Sequence, residues 1–107
     1  MTASDEAFGD RFILRLFVTG STVRSQHAIA NMRRICKEHL DGRYDLEVID
    51  VYQEPEKTRD FQIIATPTLV KVIPEPLRRI IGDLSDEEKV LAGLNLAPIG
   101  GGAGTKS

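Results

Sequence analysis

The stretch at residues 63–85, IIATPTLVKVIPEPLRRIIGDLS, limits the possible folds of this chain more than any other. Two apolar runs, 68–73 and 77–81, are separated only by Pro74, Glu75 and Pro76. Three residues cannot make a crossover, so the two runs must pair as an antiparallel hairpin. Thr66, Pro67 and Thr68 open the first run, and proline is tolerated at the mouth of a strand. The Thr66–Pro67 bond is expected to be cis, because an X-Pro amide prefers trans by only about 0.5–1 kcal/mol. A Gly82-Asp83-Leu84-Ser85 segment closes the second run.

Upstream, residues 11–19 (RFILRLFVT) are apolar almost throughout, as in a central strand covered on both faces. Gly20 ends that run. Ala28, Ile29, Met32, Ile35, Cys36 and Leu40 then recur at helical spacing, with Ser25 as the expected cap and Gly42 as the stop. Residues 44–52 (YDLEVIDVY) read as a second strand, parallel to the first because a helix connects them. A short helix is expected over 53–60, with Pro55 in its first turn and Phe61 and Ile64 as its apolar side. After the hairpin, Ser85 and Glu88 make a capping box. A last helix should start at Asp86 and bury Val90, Leu91 and Leu94. The order strand-helix-strand-helix-strand-strand-helix predicts an α/β protein of thioredoxin-like architecture (βαβαββα). Residues 11–97 form its single domain, between a flexible leader (1–10) and a disordered glycine-rich tail (98–107).

Chemistry is mostly excluded. A net charge of -2 gives no case for nucleic acid. No apolar run reaches the roughly 20 residues of a membrane helix, and the N-terminus lacks a signal pattern, which together predict a cytoplasmic protein. Cys36 is the only cysteine and falls inside a helical pattern, so it is read as a buried structural thiol. A thioredoxin-like redox site needs a cysteine in the turn after the first strand, where this chain has GSTVRS. Ser21, Thr22 and Ser25 are turn and cap residues there. An alternative reading makes Ser21 and Pro67 a pocket for glutathione or another thiol. His27 and His39, twelve residues apart, are too distant along a helix to share a metal and are expected at the surface. Asp86, Glu87 and Glu88 are accounted for by the helix N-terminus that they decorate. No catalytic, cofactor-binding or metal-binding residue emerges, and none is assigned. Arg78 and Arg79 are neighbours in a strand and therefore point to opposite faces. They call either for an acidic partner or for a solvated edge.

The motifs ILRLFVTG, YDLEVIDV, ATPTLVKVIPEPLRRIIGDLS and EKVLAGLNL together resemble the KaiB family, from about Phe12 to Leu96. The resemblance implies a non-enzymatic clock or timer regulator. Such a protein binds the N-terminal ATPase ring of a KaiC-like kinase hexamer and modulates its phosphorylation cycle, with KaiA as a further partner where the host has it. It also implies self-association to a dimer or tetramer and a switch between two folds of the C-terminal half. Ile63, Lys71, Arg78, Arg79 and Asp83 are the candidate partner contacts, and Thr66, Pro67, Gly82 and Gly93 the candidate switch positions. A stand-alone domain like a kinase sensor, binding the same ring without switching, is a second alternative. Cyanobacterial members usually carry a longer acidic tail and an Asn-Thr-Pro turn, and their absence points to a non-cyanobacterial member. The segment at 90–96 fits both folds: Val90, Leu91 and Leu94 have helical spacing, whereas Val90, Ala92, Leu94 and Leu96 alternate like a strand. Gly93 costs a helix about 1 kcal/mol relative to alanine, so Gly93→Ala is expected to favour the helical form.

Overall fold

A computed structural model of the chain describes residues 11–82 and 84–96. The expected leader and tail and the candidate Asp83 lie outside the described residues. The elements follow the expected order: β1 (Phe12–Val18), α1 (Val23–Leu40), β2 (Tyr44–Asp50), α2 (Pro55–Asp60), β3 (Thr68–Ile73), β4 (Arg78–Ile81) and α3 (Glu87–Gly93). The four strands form one sheet in the order β2-β1-β3-β4. β1 and β2 run parallel, while β3 is antiparallel to both β1 and β4. The apolar β1 therefore sits in the middle, as its composition requires. The hairpin turn carries cis bonds at Ile73–Pro74 and Glu75–Pro76, and the Thr66–Pro67 bond is also cis.

Alternation along the strands divides the core in two. Leu14, Leu16 and Val18 of β1, Leu69 of β3 and Ile80 of β4 face α1 and α3, and join Met32, Ile35, Cys36, Val90 and Leu91 in the larger cluster. Phe17, Ile49 and Val70 face the other way, under Phe61 and Ile63 beside α2. The Phe17 and Phe61 rings meet at 5.6 Å between centroids, a tilted pair. A seven-residue helix such as α3 does not hold by itself. Burial of Val90, Leu91 and Leu94, at roughly 1.5–3 kcal/mol each, seats it.

The local details differ from expectation in five places. Thr22, not Ser25, caps α1: the Thr22 hydroxyl accepts the Ser25 amide at 3.1 Å. Ser25 is buried one turn further on, and its hydroxyl donates to the Thr19 carbonyl at 3.1 Å while accepting the Thr19 amide. The cap of α3 is Asp86, whose side chain accepts the Lys89 amide, so the helix starts one residue later than the capping box implied. Ile64 is 87% exposed, because the chain turns at Gln62 (φ 57°) and Ile63 takes the core-facing place instead. His39 is not a surface group: its side chain is 5% exposed and its Nε2 lies 3.0 Å from Glu87 Oε2. The expected benefit of alanine at position 93 leaves out Ile80, whose Cδ1 and Cγ1 lie 2.5 and 2.6 Å from the site of the new Cβ. The glycine is there to let β4 and α3 approach.

Candidate partner-binding surface

Strand direction gathers the ends of the elements at two poles. The C-terminal ends of β1, β2 and β4 meet the start of β3 at one pole, as the Phe17–Thr68 and Thr68–Ile81 register pairs show. The N-terminus of α1 joins them, since it follows β1 by a four-residue turn that Gly20 (φ 54°) permits. Thr66 is fixed here by a hydrogen bond between its hydroxyl and that of Thr19. Pro67 is buried behind it. Gly82 (φ 108°) turns the chain out of β4, with Lys89 Nζ at 3.1 Å from where a Cβ would stand. Lys89 Nζ also donates to the Ile81 carbonyl at 3.1 Å, tying α3 to the end of β4.

Two clefts open at this pole. One, of roughly 100 Å³, lies between the first turns of α1 and the exit of β4, lined by Arg24, His27, Pro67, Gly82, Leu84 and Ser85. Ser21 is not part of its lining, so the pocket envisaged from Ser21 and Pro67 has only its proline. The other, of roughly 200 Å³, is lined by Val51, Ile63, Ile64 and Ala65 together with Thr19, Thr58 and Thr66. Exposed apolar side chains ring the same pole: Val23, Tyr52, Ile64 and Ile81. Sequence reasoning placed Val23 in a turn without marking it as an apolar surface group, and missed Tyr52 and Ile64 because apolarity alone signals core and only the turn geometry exposes them.

The candidate contacts are not brought together. Ile63 is half-buried at this pole. Arg78 and Arg79 are exposed on opposite faces of the edge strand β4. Lys71 lies beside Arg78 in register but is only 3% exposed, and its Nζ donates to the Pro74 carbonyl at 2.8 Å. Burial, and then the Arg78 charge, hold the Lys71 ammonium below its ordinary pKa. In this fold Lys71 closes its own hairpin and offers no surface to a partner.

A polar bridge fastens α3 to α1. Glu87 receives His39 on one oxygen at 3.0 Å and Arg34 on the other at 3.2 Å, while Arg34 also reaches Glu38 at 3.2 Å. The hydrogen bond to His39 and then that to Arg34 hold the Glu87 carboxyl below the usual carboxylate range. Glu38, His39 and Glu87 place three potential metal ligands together. The Arg34 guanidinium already sits among them and satisfies both carboxylates. Cys36 is wholly buried in the middle of α1, and burial pushes its thiol up to about 12. It is one of the least reactive positions a thiol can occupy, far from the turn where redox chemistry would need it.

The KaiB domain family matches residues 15–96. The chain belongs to the KaiB family. Among its relatives, circadian clock protein KaiB3 of Synechocystis is 53% identical over 91 residues, covering 85% of this chain and 89% of that protein. The circadian clock oscillator protein KaiB of Prochlorococcus marinus is 51% identical over 85 residues, covering 79% of this chain and 81% of that protein. Among solved structures, the N-terminal domain of Synechococcus elongatus SasA superposes with a TM-score of 0.66 at 27% identity, over 80% of this chain and 85% of that one. The Drosophila thioredoxin Deadhead superposes equally well, with a TM-score of 0.66, at 18% identity over 88% of each chain, a likeness of fold alone. The KaiB domain here is thus thioredoxin-like without the thioredoxin cysteines, a clock-protein homologue. Among the described residues no helix is long and apolar enough to cross a membrane.

Proposed function

We propose that this KaiB protein is a non-enzymatic, cytoplasmic clock regulator that binds the N-terminal ATPase ring of a KaiC-like kinase and modulates its phosphorylation cycle. The observation that carries the reading is the KaiB match over nearly the whole folded domain, residues 15–96, joined to relatives named as circadian clock proteins. The pole with Ile63, Thr66, Pro67 and Gly82 is the surface offered to the ring, and its exposed Val23, Tyr52 and Ile64 supply apolar contact area. Arg78 and Arg79, at the start of the edge strand β4, are further candidate contacts away from the pole, and Asp83 is a candidate from the sequence alone. Fold switching would turn on the Thr66–Pro67 segment, Gly82 and Gly93, and KaiA is a further partner where the host has one. Retention of the full chain on the host's KaiC-like ring, tested in ATP and in ADP and with each phosphorylation state, is the expected result. No retention in any of these states overturns the reading.

The likeness to the SasA N-terminal domain supports a second reading, a stand-alone sensor domain that binds the same ring in one fixed fold. Slow two-state exchange in NMR spectra of the free protein would exclude it.

A further inference from the structure

Near the C-terminal end of α1, side chains from two helices converge on one point. Glu38 and His39 come from α1, and Glu87 opens α3, 48 residues beyond His39. Each offers a metal ligand atom, and these atoms all lie within 4.8 Å of one another. His39 Nε2 stands 3.0 Å from Glu87 Oε2. A single nitrogen, Arg34 Nη1, lies 3.2 Å from both Glu38 Oε1 and Glu87 Oε1, and so marks a position where a cation is shared between the two carboxylates.

The ligand set selects its metal. Imidazole joined to carboxylates suits Zn²⁺ and its first-row neighbours, whereas Mg²⁺ and Ca²⁺ take oxygen ligands. Zinc bonds of about 2.0–2.2 Å place tetrahedral ligands about 3.4 Å apart. The His39–Glu87 separation is already close to that, and Glu38, exposed on the helix surface, has room to close the rest. The His39 side chain is only 5% exposed, so packing holds that ligand in place. Arg34 is the competitor. Its side chain is 44% exposed, and exposed ion pairs contribute little, so a divalent ion can displace it into solvent. Zinc then balances both carboxylates, which the single Arg34 charge cannot do.

We propose that Glu38, His39 and Glu87 form a zinc site that clamps α3 to α1, with zinc in the place of the Arg34 guanidinium and solvent completing its coordination. Glu87 reaches the other two only when α3 is docked, so the metal binds the docked arrangement and stabilises it by mass action. The inference stands independently of binding to an ATPase ring.

Isothermal titration of the full chain with ZnCl2 tests it, with MgCl2 as the control. Saturable binding of one zinc per chain, and none of magnesium at the same concentrations, is the expected result. His39→Ala and Glu38→Gln should each weaken zinc binding at least tenfold, since even loss of an outer-shell partner costs about 10–100-fold. The exposed Glu38 variant decides the matter should His39→Ala fail to show a native circular dichroism spectrum. Arg34→Ala should tighten binding several-fold, although it removes two ion pairs. His27→Ala should leave binding unchanged, since His27 lies toward the other end of α1. At free zinc about 100 times Kd, amide exchange in α3 should slow by up to about a hundredfold. No saturable zinc binding below about 1 mM overturns the inference, as does binding that Glu38→Gln leaves unchanged or that His27→Ala abolishes. Binding that Arg34→Ala weakens or leaves unchanged overturns it equally, and so does zinc bound without slower exchange in α3.

Discussion

Alanine at position 93 sets two effects against each other on one added methyl group. In α3 the replacement gains about 1 kcal/mol of helix propensity. The same Cβ would stand 2.5 Å from Ile80 Cδ1 and 2.6 Å from its Cγ1. Carbon atoms in contact ordinarily sit about 3.5–4.0 Å apart. Ile80 is 6% exposed and enclosed by the larger core, so its side chain cannot rotate away without displacing neighbours. Overpacking of this kind costs about 1–3 kcal/mol. The balance is a net loss of up to about 2 kcal/mol, and each kcal/mol lowers Tm by about 4–8 °C in a domain of this size. A double-mutant cycle isolates the contact. Ile80→Ala costs about 2–5 kcal/mol alone but removes both close atoms, leaving only the Ile80 Cβ position at 3.8 Å. Urea titrations followed by far-UV circular dichroism should therefore find Gly93→Ala/Ile80→Ala less destabilised than the sum of the single changes, by about 1–3 kcal/mol. Simple additivity, or a higher Tm for Gly93→Ala alone, refutes the reasoning.

Three further outcomes are expected. Cys36 should resist a thiol reagent such as DTNB in native buffer and react fully only in denaturant; stoichiometric native labelling within minutes would contradict its burial. Glu87→Gln should speed amide exchange in α3 more than in α1. The wild type should lose the same protection in acid: the Glu87 carboxyl is lowered on folding, so its contribution is complete above the ordinary carboxylate range and disappears as pH falls through the lowered value. Acid-insensitive α3 exchange would contradict this. Lys71 behaves in the opposite region. The folded chain releases its proton before the unfolded one, so stability should rise with pH between the lowered value and 10.5, and Lys71→Met should remove that rise in urea titrations at several pH values.

Much of the fold was legible because it depends on short-range pattern. The apolar run of β1, the helical spacing from Ala28 to Leu40 and the Pro-Glu-Pro turn each signal their element locally, and the parallel β1–β2 pair and the β3–β4 hairpin follow from connection lengths, whereas the pairing of β1 with β3 does not. The boundary residues were less legible: Thr22, Ser25, Ser85 and Asp86 are all competent caps, and only the path of the chain selects among them. What the sequence hid is what tertiary contact decides. His39 and Glu87 are 48 residues apart and meet only when α3 docks. Lys71 is charged and reads as surface, yet its hairpin closes over it. Gly93 reads as a weak point in a helix until Ile80 is placed across from it. The scattered partner-contact candidates show the same limit, since a linear run says nothing about which pole a residue reaches.

The central place of β1 bears on how the protein is made. Of the described strands β1 emerges first during synthesis, and β2, its parallel neighbour, emerges next. Its other edge pairs only with β3, which begins at Thr68. Until β3 emerges the nascent chain thus presents an apolar strand with an unsatisfied edge, the kind of surface that recruits stray strands or chaperones. The hairpin that supplies β3 also brings β4, with Arg78 and Arg79, so the edge is closed and replaced by a charged one in a single step.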